Sequence, residues 1–560
     1  MSLPLLAACV LIALVCGYRF YGAFIARRLG LDPALITPAV AKNDGQDFVP
    51  TRPFYLMGQH FSAIAAAGPI AGPILACQQF GWLPAILWIV LGVIFVGAVH
   101  DLATLFASVR HGARSIADVV RDQLGRRAWL AILAFIWLAL VYVIVAFTDL
   151  TASTFVSGDA DLAGLATRYN PGGAVAAAAL LYLLVAVVMG VVERLLHPPL
   201  WLQTVIFVPA TFGAVWLGTE LSTWLVLPHT TWVIAILAYC FVASLTPVWA
   251  LLQPRGYLGG FVLYAALLVG TIGIFFGGHE IQQPAWRGFH NQAGWPLFPF
   301  LFVTIACGAC SGFHGLVCSG TTSKQISSEA HCRPVGYGAM LLEAFVALIA
   351  LGTVMIVAQT AGKKPGLLYG EGLGGFLTVI IGEEHRTLAV TFGAMAFSTF
   401  VFDTLDVATR LGRYILQELT GTTSRAAALV ATLVTCVVPL LLLIAAGAGS
   451  YLKFWTLFGT SNQLLAALSL LGISVWLKRA GRPYWFTFVP MLFLFALTLY
   501  ALVLQAQDAF ARARSLDVAF ANGVVSVLLL GLAVALCVIG GRALLATPGK
   551  SAHADAATAP

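Results

Sequence analysis

Charge is what this chain has least of. Lys, Arg, Asp and Glu together make up 9% of its 560 residues, against 60% hydrophobic. Soluble domains carry about 25% charged residues. That scarcity excludes a water-soluble globular fold and gives no footing for nucleic-acid binding. What remains is a polytopic membrane protein. In that setting the formal net charge of +7 reflects Lys and Arg holding loops on one side of the bilayer. Long polar stretches are missing too. The longest lies between residues 25 and 58, too short for a soluble signalling module. Ten cysteines are present, but Cys9, Cys16, Cys77, Cys240, Cys307, Cys310, Cys318, Cys436 and Cys537 fall inside apolar runs. They read as small hydrophobes, not as a disulfide framework. The apolar start 3–15 lacks the basic leader of a signal peptide and reads as a retained first helix. The small polar residues of 547–560 predict a disordered tail.

A membrane-crossing helix needs about 20 mostly apolar residues. Fifteen stretches qualify: 3–24, 59–79, 82–108, 128–152, 173–193, 200–219, 230–251, 258–277, 298–319, 335–360, 387–409, 425–447, 453–477, 484–505 and 519–543. A short Gly-rich piece, 366–382, reads as re-entrant, interfacial or a sixteenth span. With the N-terminus outside and fifteen alternating spans, twenty-one of the thirty Lys and Arg fall inside and eight outside. That is the bias expected of cytoplasmic loops. A sixteenth span would move the clusters around Arg410 and Lys478 to the outside. The expectation is therefore fifteen spans with the C-terminus cytoplasmic.

Two of these spans are interrupted. The first, at 60–79, holds two Gly-Pro pairs, Gly68-Pro69 and Gly72-Pro73. The second, at 298–319, is crowded by Gly308, Ser311, Gly312 and Gly315 around His314. Proline removes a backbone donor and glycine permits a turn. Freed backbone groups inside a bilayer survive only against protein or a water-lined cavity. The two spans are the second and the ninth, so they run antiparallel, as inverted repeats require. Repeats of five plus five (spans 2–6 and 9–13) or seven plus seven both fit. The divisions expected are 1–58, a first helix and loop; 59–229, a first repeat; 230–297, two inserted helices; 298–480, an inverted repeat; and 481–546, C-terminal helices.

The blocks DGQDFVPT (44–51), GQHFSAIAAAGPIAGPILA (58–76), GAVHD (97–101) and ACGACSGFHGLVCSGTTSKQISSEAHCRPVGYGAM (306–340) resemble the carbon starvation protein A (CstA) family, over roughly 30–540. The resemblance implies an inner-membrane transporter of the amino acid–polyamine–organocation type with a LeuT-like core. It implies uptake of pyruvate, peptides or similar carbon sources, with proton coupling for the pyruvate carriers. Cys310 and Cys318 depart from the family's pattern.

Half-helix ends at mid-membrane offer N–H groups to a carboxylate and C=O groups to a cation. The substrate-binding candidates are therefore Ala66, Ala67, Gly68, Gly72, Gly308, Ser311, Gly312 and His314. Close packing through small residues is the competing reading. Ionisable residues inside spans are costly and face cavities or partners. The proton-coupling candidates are His60, Asp149, His314, Glu343 and Asp403; a histidine titrates in the physiological range. Asp406 is expected to pair with Arg410 one turn on, and Asp101 to snorkel or cap beside Arg110 and Arg114. A gate joining Arg52 and Glu329 would close the loops at 44–53 and 321–334. Cys307, Cys310, His314 and Cys318 share one helix face. They are not read as a metal site, because a straight helix cannot close them around one ion.

The fold class expected is all-α and polytopic. The function expected is secondary import of a small carboxylate or peptide by proton symport with alternating access, without excluding Na+. No cofactor and no enzymatic activity are expected. A membrane-embedded nutrient sensor is the rival reading. A membrane enzyme built on Ser311 beside His314 is a third.

Overall fold

The computed structural model describes residues 2–45, 47–65, 67–156, 169–422 and 424–546. Ala66 and the expected tail 547–560 lie outside the described residues. The described chain is helical: α1 (Leu3–Leu29), α2 (Pro53–Ile64), α3 (Gly68–Phe80), α4 (Trp82–Arg110), α5 (Arg126–Phe155), α6 (Pro171–Leu196), α7 (Leu200–Glu220), α8 (His229–Leu245), α9 (Leu252–Phe276), α10 (Leu297–Thr304), α11 (Gly312–Gly320), α12 (Glu329–Met355), α13 (Pro365–Ile381), α14 (Glu383–Thr420), α15 (Arg425–Ala446), α16 (Tyr451–Arg479), α17 (Trp485–Arg512) and α18 (Val518–Leu545). Among the described residues, twelve helices are long and apolar enough to cross a membrane. The bent pair α2–α3 makes a thirteenth. The protein is a multi-pass membrane protein.

The elements follow from local chemistry. Asn170, Ser424 and Asp517 stand just before helices and accept hydrogen bonds from Gly173, Ala427 and Phe520 N–H groups at 2.8, 3.1 and 2.9 Å. These side chains satisfy donors a helix start leaves open. Asp517 lies outside the spans, and the Phe520 N–H holds its carboxyl below the usual range. Hydroxyls inside helices turn back on their own backbone. Thr151, Thr211 and Thr498 donate to carbonyls four residues earlier at 2.8, 2.9 and 2.6 Å, so these three hydroxyls are satisfied within their own helices.

Loop contacts sort into two faces. On one, Glu329 at the start of α12 meets Arg110 at the end of α4, Arg479 at the end of α16 reaches Gln123, and Lys478 donates to Leu544 O at the end of α18. On the other, Gln78 at the end of α3 donates to Thr360 O after α12, and Trp82 at the start of α4 donates to Gln283 O after α9. Asp149 near the end of α5 accepts from Tyr451 N at the start of α16. The Gly-rich piece is one helix of 17 residues. At 1.5 Å per residue it is about 25 Å long, short of a hydrocarbon core of about 30 Å. It folds against α14 as a hairpin. A Cβ at Gly370 would stand 2.9 Å from Ala394 Cβ, and one at Gly374 2.8 Å from Val390 Cγ2. Both ends of α13 lie near the second face: Gln78 donates to Lys363 O at 3.2 Å, and toward the other end Phe376 packs 5.3 Å from His279, which follows α9.

Helix α16 is the most enclosed element. Its Gly459 sits against α10, where a Cβ would overlap the Val303 carbonyl oxygen. Gly531 of α18 has open space. Overpacking of this kind costs about 1–3 kcal/mol. Gly459→Ala is expected to lower the melting temperature in detergent by several degrees, while Gly531→Ala leaves it unchanged or raises it. Fluorescence-monitored thermal denaturation reads both.

Candidate functional site

Both interrupted spans are broken. Helix α2 stops at Ala65, whose φ/ψ of −74°/54° leave the helical region, and α3 resumes at Gly68 with Pro69 in its first turn. The axes differ by 48°. Helix α10 stops at Ile305 with φ/ψ of −100°/58°, and α11 resumes at Gly312 after an extended Ser311. The two breaks thus end their leading halves with the same backbone turn.

The breaks lie side by side. A Cβ on Gly68 would overlap the Cys307 side chain, and one on Gly72 would stand 2.7 Å from the Thr304 oxygen. A Cβ on Gly308 would meet Pro69 Cα at 3.4 Å and Ala347 Cβ at 3.2 Å. Gly68, Gly72, Gly308, Ser311, Gly312 and Ala67 are all buried. Gly68, Gly72 and Gly312 are required for close approach of the backbones, as in small-residue helix crossings.

Helix α16 supplies the polar groups the second break exposes. Trp455 Nε1 donates to Thr304 O at 3.1 Å, and Gln463 Nε2 donates to Phe302 O at 2.9 Å. These cap the carbonyl end of α10. Asn462 Oδ1 accepts from Phe313 N at 2.9 Å, capping the N–H end of α11. Asn462 Nδ2 donates to Ser311 Oγ at 3.0 Å and to Cys307 Sγ at 3.2 Å. Asn462 was not among the residues the sequence singled out. Its place in an apolar run, FGTSNQLLAAL, was the available signal.

Just beyond the break, four titratable side chains converge. His314 Nδ1 lies 3.0 Å from Asp101 Oδ2, and His314 Nε2 lies 3.2 Å from Glu343 Oε2. His100 Nδ1 lies 2.8 Å from Asp101 Oδ1. All four are at most 1% exposed. The contact with Glu343 is close but off the hydrogen-bond axis, and both Glu343 oxygens lack a donor. His60 is adjacent, with Nδ1 2.9 Å from Thr322 Oγ1 and Nε2 3.8 Å from Cys318 Sγ. Of the proton-coupling candidates, His60, His314 and Glu343 thus come together. Asp101, expected to snorkel or cap beside Arg110 and Arg114, is instead fully buried at the centre of this group. His100 joins it. A sheltered imidazole between two carboxylates can accept a proton from one and pass it to the other.

Asp149 and Asp403 lie elsewhere. Asp149 accepts from Tyr451 N at 2.6 Å and stands 2.8 Å from His229 Nε2, binding α5, α8 and α16 at the second face. Asp403 accepts from Arg255 Nε at 2.8 Å. Asp406 also pairs with Arg255, and Tyr239 donates to it at 2.8 Å. The expected Asp406–Arg410 pair is absent. Arg410 Nη2 instead donates to Ala243 O and Thr246 O at 2.7 and 2.8 Å, capping the end of α8. Helix-end carbonyls compete well for a guanidinium.

The expected gate takes a different form. Arg52 is exposed, and Glu329 pairs with Arg110 at 2.5 Å while accepting from Asp32 N at 2.8 Å. Glu329 is 2% exposed, so its charge takes the cation that reaches it inside the protein, the partly buried Arg110, not one on a solvated helix start. The loops at 44–53 and 321–334 do join, through backbone. Val49 N donates to Lys324 O at 3.2 Å and Thr51 N to Gln325 O at 3.0 Å, with Lys324 3.6 Å from Asp47.

Residues 1–364 and 357–501 match the family "Carbon starvation protein CstA". The chain belongs to this family. It is 33% identical to "Peptide transporter CstA" of Campylobacter jejuni, over 89% of this chain and 79% of that protein. It is 31% identical to "Pyruvate/proton symporter BtsT" of Escherichia coli, over 90% and 81%. It is also 31% identical to "Peptide transporter CstA" of Bacillus subtilis, over 94% of each. Among solved structures, a mutant of the Eremococcus coleocola manganese transporter aligns at TM-score 0.46 and 15% identity, over 90% of this chain and 99% of that one.

Removing one partner of a buried ion pair costs about 3–5 kcal/mol. Glu329→Gln is therefore expected to loosen the joined loops and speed maleimide labelling of buried Cys332. Mass spectrometry of the Cys332 peptide reads the rate. Unchanged labelling would mean the pair does not hold this face shut.

Proposed function

We propose that this protein is a secondary transporter that imports a small carboxylate, pyruvate-like, or a peptide, by proton symport with alternating access. Its relatives' names supply the substrate classes. The observation that carries the reading is His314, held between Asp101 and Glu343 where the two broken helices meet. A second negative charge at mid-depth is costly unless matched. The groups facing these carboxylates are the His314 and His100 imidazoles, so a proton arriving here changes the balance of the whole group. The substrate carboxylate would lie at the N–H ends of α3 and α11, beside Ala67, Gly68, Gly72, Gly308, Ser311 and Gly312. Gly68 lies against Cys307 and Gly308 against Pro69, so opening a pocket requires α2–α3 and α10–α11 to separate, as alternation between faces demands.

The chain crosses the membrane fifteen times on this reading, in a LeuT-like inverted-repeat core with five helices in each repeat. Both ends of α13 lie near one face and α14 alone crosses, which supports leaving α13 out of the count. The N-terminus lies outside and the C-terminus in the cytoplasm of an inner membrane. The face joined through Thr51, Gln325, Glu329 and Arg110 is then cytoplasmic, and closed. Asp149 and Asp403 hold helices together and are not part of the proton path.

Symport of a monoanion with one proton moves no net charge, so a pH gradient drives it and a voltage does not. Proteoliposomes with an alkaline lumen are expected to accumulate labelled pyruvate or dipeptide. Glu343→Gln is expected to keep counterflow of that substrate but to lose accumulation against a gradient by about tenfold or more, the scale of a lost proton-transfer group. Accumulation equal to wild type in Glu343→Gln would overturn the proton path. Absence of counterflow for every acid and dipeptide tried in the unmodified protein would overturn transport itself and favour a sensor.

A further inference from the structure

We propose that His60, Asp101 and Cys318 form a binding site for a borderline divalent transition metal such as zinc, and that occupancy arrests the protein. The three side chains come from α2, α4 and α11. Their ligand atoms all lie within 4.8 Å of one another, and the residues are 1%, 0% and 0% exposed. His60 Nε2 and Cys318 Sγ are 3.8 Å apart. Around a tetrahedral zinc ion, with bonds of about 2.1 Å to nitrogen and 2.3 Å to sulfur, such a pair stands about 3.6 Å apart. For this pair only a small adjustment separates the observed geometry from coordination.

The surrounding groups are arranged as they are around metal ligands. Thr322 Oγ1 engages His60 Nδ1 at 2.9 Å, leaving Nε2 directed at the site. His100 and His314 hold the two Asp101 oxygens at 2.8 and 3.0 Å. Each carboxylate oxygen keeps a further lone pair for an ion. Outer partners of this kind fix ligand orientation. The donor set decides the ion. One imidazole, one thiol and one carboxylate suit zinc and its neighbours; calcium and magnesium require oxygen. Charge also favours it. A divalent ion with one carboxylate, one thiolate and one neutral imidazole sums to zero, which a low-dielectric interior tolerates. Binding displaces the Cys318 thiol proton to solvent.

The helix-face run of cysteines does not make this site. Cys307 accepts from Asn462 on the other side of α11's start, while Cys318 meets residues from two remote helices. Helix α2 is the leading half of the first broken span and α11 the trailing half of the second. An ion bonded to both, and to α4, ties together the parts that must separate for transport. That last step rests on the proposed transport reading; the binding does not.

The test uses metal-free, full-length protein in detergent, titrated with Co2+ and separately with Zn2+. One equivalent of Co2+ is expected to give a thiolate-to-cobalt charge-transfer absorption. Cys318→Ser should abolish that band and weaken zinc affinity by more than the roughly 10–100-fold that loss of an outer partner of a ligand costs, while Cys310→Ser keeps both. Should Cys318→Ser fail to fold, His60→Gln carries the same comparison. Zn2+ should stop counterflow in the wild type, reversibly with EDTA, and Cys318→Ser should need at least about tenfold more zinc. No stoichiometric metal in folded wild type, or a band that survives Cys318→Ser, would overturn the site. Binding without inhibition would overturn the arrest. Absence of counterflow without zinc would count against transport and leave the metal titration standing.

Discussion

A helix broken inside a bilayer must find partners for its own backbone, and in this protein helix α16 provides them. Trp455 and Gln463 donate to the carbonyls that end α10, and Asn462 accepts from the N–H that opens α11. Water cannot perform that service in hydrocarbon, where each unsatisfied group costs several kcal/mol. The non-helical stretch 305–311 therefore exists because one long helix lies along it with the right side chains at successive turns. The burial of α16, the small residues facing it and the tight crossing with α2–α3 all follow from that service.

The break in turn places the titratable cluster. Helix α11 starts afresh at Gly312 and so points His314 at Asp101 of α4 and Glu343 of α12. A continuous helix from 297 to 320 would follow one axis through this region. The cluster and the two breaks are thus one structure: the backbone is opened, the opening is capped from α16, and an imidazole is suspended between two carboxylates beside it. At the loop face, Glu329 and Arg110 with the paired segments at Thr51 and Gln325 close the same helices from below. A proton or an anion that alters the cluster acts on elements already coupled to that closure.

Much of this was legible in the sequence, for reasons of range. Apolar length marked the all-helical, multi-pass character, with twelve helices of membrane-crossing length among the described residues, and Gly-Pro pairs and the Gly/Ser cluster around His314 marked both breaks, because these signals are local. Partners were not legible, because they are remote. Local spacing paired Asp406 with Arg410, yet Arg255, 151 positions away, holds it. Arg110 and Arg114 stand near Asp101 in the chain, but His314 lies 213 positions off. Glu329 was matched to Arg52 when its partner was Arg110, 219 positions distant. Asn462 and Cys318 looked like packing residues in apolar runs. Only the fold shows that one caps a helix and the other faces an imidazole and a carboxylate.

On the proposed reading, the His314 cluster takes up a proton when substrate binds. Linkage makes this measurable without a membrane: calorimetric titration of pyruvate, or of a dipeptide, into purified protein in buffers of different ionisation enthalpy. The account predicts that the observed heat varies with the buffer, reporting net proton uptake, and that His314→Gln binds with heat independent of the buffer. Saturable binding with no buffer dependence in the unmodified protein would contradict it.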